Sequence, residues 1–306
     1  MRIVFAGSPA AAVPTLEALL DSEHTVVAVV TREDSIQGRK RILTPTPVAV
    51  AAEARGVPVI RSNRLTEAVT AEIAALDVDL GVIVAYGGLV REPLLSTPRL
   101  GWINLHFSLL PRWRGAAPVQ RAIIAGDEHT GVTVFQLVPE LDAGDILGQA
   151  GHPIGAMQSA GTLLISLAAL GADLVVRVVD ALADGTARAV PQVGDVTLAP
   201  KLHQADGEID WSRPAEVVHA RVRGVTPEPG AFGTIDGTRV KVLGTAIARE
   251  HPPIEPGAVR LRDGAVIVGT GTHPIELITV HPAGKRAMDA VAWWRGRSAG
   301  SADTFS

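Results

Sequence analysis

Cysteine is absent from the 306 residues, which excludes disulfides, thiol nucleophiles and cysteine-ligated zinc together. Aromatic residues make up only 4% of the chain, with a single tyrosine, Tyr86, so the core must be built from aliphatic side chains. A strong charge of either sign is also missing. Lys and Arg number 28 against 32 Asp and Glu, a balance of −4, so any nucleic-acid contact has to come from a local basic patch. The nine histidines show no paired ligand spacing, and no metal is expected. The opening MRIVFAG carries one basic residue and a short apolar run before Pro9. Neither a signal peptide nor a membrane span is read there, and a cytoplasmic location is expected. Gly7-Ser8-Pro9 lacks the three-glycine dinucleotide fingerprint, so a nicotinamide cofactor is not expected.

What is present is ample apolar material, 47% of the chain against 20% charged, and a length that favours two domains. Apolar strands over Arg2–Ala6, Thr25–Thr31, Val57–Ile60 and Asp79–Val84 alternate with helical patterns over Ala11–Leu20, Pro47–Arg55 and Thr66–Leu76. That rhythm predicts an α/β fold, a doubly wound Rossmann-like and mostly parallel sheet. Leu163, Leu167, Leu170, Leu174, Val178 and Leu182 recur at helical spacing before Gly185, a long helix whose stripe belongs in a core. Between these elements, Arg32–Thr46 is charged and unpatterned, with Arg39, Lys40 and Arg41 at its centre. It is either a solvated loop or a basic loop that grips phosphates.

The most informative stretch runs from Gly101 to Leu147. The apolar run Trp102–Leu105 leads into His106, and Asn104 and His106, two residues apart, share one face of a strand. A helix over Pro118–Ala125 and a strand over Gly131–Leu137 then lead to Leu141-Asp142-Ala143-Gly144. An amide, an imidazole and a carboxylate suit acyl transfer to an amine. The amide donates to the developing oxyanion, the imidazole donates or moves a proton, and the carboxylate favours the imidazolium. Taken singly, each of the three could instead satisfy backbone groups or shape a turn. The reading rests on their joint context.

Asn104-Leu105-His106, Ser108-Leu109-Leu110-Pro111 and Leu141-Asp142-Ala143-Gly144 together resemble the folate-dependent formyltransferases. The longer run Ser108–Pro118, SLLPRWRGAAP, resembles the branch that acts on methionyl-tRNA. The resemblance implies Asn104, His106 and Asp142 as catalytic residues and Ser108, Leu109, Leu110 and Pro111 as part of a folate site. It implies 10-formyltetrahydrofolate as co-substrate and methionyl-initiator tRNA as acceptor. Arg39 falls on the arginine of a Gly-Arg-Gly-Lys-Lys segment with which those enzymes engage the tRNA acceptor stem, and Pro45 and Pro47 fall on its prolines; Arg39, Lys40 and Arg41 are thereby implied as tRNA contacts. Three positions depart from the pattern: Phe107 and Lys40 stand where a small residue and a glycine are usual, and Glu228 where a Trp is common.

Beyond Ala187–Lys201 the pattern changes to a helix around Pro214–Arg223 and short strands over Ala231–Ile235, Arg239–Leu243, Gly257–Leu261, Ala265–Val268 and Ile275–Val280, the cadence of a small barrel. The family carries an OB-like barrel here, and Pro282–Met288 matches its terminal signature. The expected organisation is a catalytic domain over 1–188, a linker over 189–205 and an OB-like, accessory tRNA-binding domain over 206–306, acting as a monomer without membrane attachment. Lys241, Lys285, Arg286, Arg295 and Arg297 are candidate phosphate contacts, and Trp293 and Trp294 a candidate stacking face. Three alternatives remain open: a sugar-nucleotide formyltransferase, a formyltetrahydrofolate hydrolase and a non-catalytic RNA-binding protein. Arg39→Ala separates the first from a tRNA enzyme. It should raise the tRNA concentration needed for half-maximal rate and leave folate affinity unchanged, as read from steady-state kinetics and folate titration.

Overall fold

The computed structural model describes residues 1–38, 41–297 and 302–306. The chain divides into two compact units. The first comprises Met1–Pro118, Thr130–Pro153 and Leu164–Ala199; the second comprises Val119–His129, Ile154–Leu163 and Pro200–Ser306.

The first unit is the expected α/β sheet. Strand β1 (Arg2–Gly7) is followed by α1 (Val13–Leu20), β2 (Thr25–Thr31), the short pair β3 (Ser35–Gln37) and β4 (Ile42–Thr44), and α2 (Pro47–Ala54). Then come β5 (Val59–Arg61), α3 (Glu67–Ala74), β6 (Leu80–Val84) and β7 (Trp102–His106); α4 (Pro118–Ala125), all but its first residue, falls in the second unit, and β8 (His129–Gln136) from Thr130 onward, β9 (Ile146–Pro153) and α5 (Ala160–Ala183) from Leu164 onward return to the first. The sheet order is β5-β2-β1-β6-β7-β8-β9. The pairs from β5 through β7 are parallel, and β8 runs antiparallel to β7. Near-continuous apolar strands such as IVFA of β1 and GVIV of β6 are buried along their lengths, as strands covered on both faces must be. Helix α2 starts where its sequence directs. Pro47 occupies the first turn and the Thr46 hydroxyl accepts the Ala49 N–H at 3.0 Å.

Three strands of the first unit, β3, β4 and β9, differ from the expected pattern, as do β15 (Met288–Asp289) and α7 (Ala290–Arg295) of the second. Arg32–Thr46 contains the hairpin β3–β4, whose three-residue strands, exposed apart from a half-buried Thr44, carry too little alternation to be read. The edge strand β9 was missed because ILGQAGHP holds two glycines and a proline, all poor strand formers. Helix α5 is the long leucine-striped helix. With 24 residues and a mean hydropathy of 2.0 it is long and apolar enough to cross a bilayer, yet half of its most apolar window is buried inside the fold. Leu163, Leu167, Leu174, Val175, Val178 and Val179 form the buried stripe.

The segment expected as a linker over 189–205 is divided between the units. Val190 exchanges backbone hydrogen bonds with Ile146 at 2.8 and 2.9 Å, and Arg114 and Ala199 are joined at 2.7 Å. These bonds tie residues through Ala199 to the first unit.

The second unit holds α6 (Ala215–Gly224) and the antiparallel strands β10 (Ala231–Ile235), β11 (Thr238–Ile247), β12 (Val259–Arg262), β13 (Ala265–Val268), β14 (Ile275–Pro282) and β15 (Met288–Asp289), then α7 (Ala290–Arg295). Sheet order β10-β11-β14-β13-β12, with β15 on β14, is the curled antiparallel sheet of an OB-like domain. Three aromatic side chains meet in its core. Trp211 and Trp293 stack on Phe305 with ring centroids 5.2 and 6.1 Å away. Trp293 is therefore buried, at 6% exposure, and corrects the expectation that it offers a stacking face. Arg297 is likewise committed, to Asp236 and the Ala302 carbonyl.

In the sheet, Gly81 pairs with Trp102 across β6 and β7. The indole covers that position so closely that a Cβ on Gly81 would lie 2.1 Å from the ring, and the indole N–H donates to the Leu94 carbonyl at 2.8 Å. Gly81→Ala must displace an indole locked by that bond. A loss of about 1–3 kcal/mol is expected for such overpacking, measured as a lower urea midpoint at unchanged slope.

Candidate active site

Strand β7 presents Asn104 and His106 on one face, as their spacing requires. Asn104 is half-buried and His106 is 6% exposed. The imidazole meets the Phe135 ring edge-on, at 6.5 Å and 82°. Among the described residues no hydrogen bond engages the Asn104 amide, so its N–H groups are free to meet a ligand.

The orientation of His106 comes from a residue that motif reasoning did not single out. Its Nε2 lies 2.8 Å from the backbone carbonyl of Trp113. A carbonyl only accepts, so Nε2 carries the proton and, in the neutral ring, Nδ1 holds the lone pair. Trp113 reaches this position with φ of +62°, a left-handed conformation unusual for a bulky side chain. Its N–H is held by Thr197 Oγ1 at 2.8 Å.

Asp142 is delivered by a return of the chain. Because β8 runs antiparallel, His106 pairs with Thr133 and Ile103 with Gln136. The carboxyl end of β8 thus lies beside the start of β7, not beside His106, and the β8–β9 connection must fold back. Gly144 makes the turn possible, since a Cβ there would stand 1.7 Å from the Gln136 carbonyl oxygen. Asp142, itself at φ +46°, ends with Oδ2 accepting the Gly115 N–H at 2.7 Å and lying 3.8 Å from His106 Nδ1. At 3.8 Å the carboxylate acts on the ring by charge and not by a hydrogen bond.

These surroundings act on His106 in opposite directions. Burial lowers its pKa, while the Asp142 charge and the Trp113 carbonyl raise it; burial dominates, and the value falls below that of an ordinary histidine. The ring is neutral at physiological pH, with a basic Nδ1 turned toward Asp142.

The Ser108–Pro111 segment divides by role. The Ser108 hydroxyl donates to the Arg112 carbonyl at 2.6 Å, and Thr133 Oγ1 donates to the Ser108 carbonyl while accepting from Leu110 N–H. Gln149 donates to the Leu110 carbonyl at 2.9 Å. Ser108 and Leu110 are buried in this network, whereas Leu109 and Pro111 border a cavity of about 440 Å³ shared with Arg112, Val193, Gly194, Asp195 and Thr197. Asn104, His106 and Asp142 are not among its walls. Arg39 and Lys40 lie outside the described residues. Arg41 is exposed at the head of the β3–β4 hairpin, at φ +51°. Tyr86 is packed, at 1% exposure, with its hydroxyl donating to the Ser62 carbonyl at 2.7 Å. Arg32 bridges the Tyr86 and Gly87 carbonyls at 3.1 and 2.6 Å. Among the described residues no group of three or more His, Asp or Glu side chains is placed to hold a metal.

Residues 1–179 match the formyl transferase family model, and residues 201–298 match the model of the formyl transferase C-terminal domain. The methionyl-tRNA formyltransferase of Clavibacter michiganensis subsp. michiganensis is 60% identical over 296 residues, 97% of both chains. That of Acidothermus cellulolyticus is 49% identical over 316 aligned positions, again 97% of both. This chain belongs to the methionyl-tRNA formyltransferase family. Among solved structures, the N-formyltransferase of Helicobacter canadensis, crystallised with folinic acid and dTDP-3-aminofucose, shares the fold at TM-score 0.68 and 17% identity, covering 90% of this chain and 98% of that one. HypX of Aquifex aeolicus, in complex with tetrahydrofolic acid, matches at TM-score 0.66 and 18% identity over 97% of this chain and 47% of its own. Membership in the family makes this chain a formyl-transferring enzyme.

The lowered pKa of His106 has a defined consequence. If its neutral ring is required, kcat should hold as pH falls past about 6.5 and decline only below that value. A limb at or above 6.5 in the pH–rate profile would exclude His106 as the titrating group. Stability follows the same sign. On acidification the unfolded chain takes up this proton first, so His106 contributes a loss of stability as pH falls through about 6.5 and none above it.

Proposed function

We propose that the protein transfers the formyl group of 10-formyltetrahydrofolate to the α-amine of methionyl-initiator tRNA, giving N-formylmethionyl-tRNA for translation initiation. The observation that carries this reading is the match along 97% of the chain, at 60% identity, to a methionyl-tRNA formyltransferase. The site geometry supports a direct transfer. The neutral amine attacks the formyl carbon and a C–N bond forms. The Asn104 amide donates to the developing oxyanion, while His106 Nδ1 takes a proton from the attacking nitrogen. The resulting imidazolium is stabilised by Asp142 and returns the proton to N10 as the bond from carbon to N10 breaks, leaving N-formylmethionyl-tRNA and tetrahydrofolate. No covalent enzyme intermediate is needed, in keeping with the absence of cysteine. Leu109 and Pro111 are the parts of the Ser108–Pro111 segment open to the folate, and Ser108 and Leu110 shape the loop behind them.

The tRNA is assigned to two surfaces. One is the basic loop of Arg39, Lys40 and Arg41. The other is the outer face of the barrel, over 206–306, where Arg239 joins the expected Lys241, Lys285 and Arg286. Arg239 lies flat over Phe232, 3.4 Å from the ring centroid. Lys241 pairs across strands with His281, and Lys285 and Arg286 follow in the next turn. Among the described residues Lys241, Lys285 and Arg286 have no ion pair, so their charge is available to phosphates. Under this reading the enzyme works as a monomer in the cytoplasm, where tRNAs are aminoacylated. The sugar-nucleotide alternative draws on likenesses below 20% identity, which speak for the fold alone.

Transfer of label from 10-formyltetrahydrofolate to methionyl-initiator tRNA, with uncharged tRNA and methionyl-elongator tRNA as controls, tests the reading directly. Label should appear on the charged initiator. Label on no tRNA, with folate bound, would overturn it in favour of another amine or hydrolysis. Asn104→Ala should lower the transfer rate ~10²- to 10³-fold, the cost of one oxyanion donor, with an unchanged melting temperature.

A further inference from the structure

The segment 191–198 is exposed along most of its length, and only Gln192 and Thr197 are half-buried in it. Thr197 holds the Trp113 N–H, as described. The Gln192 side chain uses its whole hydrogen-bonding capacity. Its Nε2 donates to the Asp142 carbonyl at 2.8 Å and to the Gly144 carbonyl at 2.9 Å. Its Oε1 accepts from Arg114 Nε at 3.1 Å and Nη2 at 2.6 Å. The amide can sit only this way round, because two carbonyls must face its nitrogen and a guanidinium, which only donates, must face its oxygen.

The partners give these bonds their meaning. Asp142 and Gly144 belong to the connection that folds back from β8, and Arg114 follows the residue whose carbonyl orients His106. The two loops meet otherwise through Gly115 N–H and Asp142 Oδ2, at 2.7 Å. Both carry a non-glycine residue in the left-handed region, Trp113 at +62° and Asp142 at +46°. Such conformations persist only where the surroundings over-determine them.

The geometry points to Gln192 as a positioning residue that clamps the Trp113–Gly115 loop to the Asp142–Gly144 loop and so sets the placement of His106 against Asp142. The inference rests on the formyl-transfer reading for its effect on rate, but not for its effect on the imidazole. Gln192 touches no reacting atom. It holds the two loops whose backbone fixes the ring on one side and the carboxylate on the other. Displacements of about 1 Å in such a constellation cost up to ~10²-fold in rate.

The test compares Gln192→Ala and Gln192→Glu with the wild-type full chain. Gln192→Glu preserves shape and the Arg114 partner, and sets a carboxylate against the Asp142 and Gly144 carbonyls. Single-turnover formyl transfer and titration of the His106 imidazole by NMR are measured together. Both variants should lose ~10- to 100-fold in transfer rate with KM for folate and tRNA changed less than about threefold, and the His106 midpoint should rise as the loosened loops admit water. A lower melting temperature with an unchanged rate per folded molecule and an unmoved His106 midpoint in both variants would reduce Gln192 to a structural contact and overturn the inference. If the wild type itself transfers no formyl group, the functional reading fails, and the His106 titration still decides whether Gln192 braces the ring.

Discussion

The hydrogen bond from His106 Nε2–H to the Trp113 carbonyl is the constraint on which the site depends. It selects the tautomer, and the tautomer decides which nitrogen can accept a proton. The bond exists only because Trp113 accepts a left-handed backbone, and that conformation is held by Thr197 on one side and by the Gly115–Asp142 contact on the other. Strain in one loop is thus balanced by hydrogen bonds from two distant stretches of chain. Such an arrangement is pre-organised before any substrate arrives.

Burial gives the imidazole its chemistry. In a dry pocket beside a carboxylate, the neutral ring and the imidazolium lie closer in free energy than burial alone would allow, because desolvation and the Asp142 charge oppose each other. That balance is what the proposed proton relay requires of the ring. A direct hydrogen bond to the Asp142 carboxylate, which only accepts, would need a proton already on Nδ1; at 3.8 Å the carboxylate acts by charge and leaves the lone pair open.

In the second unit the scarcity of aromatics shapes both the core and the surface. Trp211, Trp293 and Phe305 are spent on the interior, which leaves Phe232, capped by Arg239, as the aromatic on the outer face of β10. The unsatisfied buried nitrogens Nε and Nη2 of Arg239 are the cost of that cap, offset in part by contact with the ring.

The sequence by itself determined the order of strands and helices, the parallel character of the sheet and the shared strand face of Asn104 and His106. Each of these is a local property. Apolar period, helix caps and a two-residue spacing along a strand are written within a few positions of one another. It could not disclose the β3–β4 hairpin, too short to show alternation, or β9, whose glycines and proline run against strand propensity. Nor could it disclose that Asp142 arrives by a fold-back, that Trp113 orients His106 through its carbonyl or that Gln192 joins two loops that lie 27 positions apart at Gly115 and Asp142. A backbone carbonyl has no signature in the sequence, and a hydrogen bond between residues some fifty or eighty positions apart depends on register and chain direction. Only the tertiary structure decides those, because only there does the antiparallel turn of β8 set the two loops against each other.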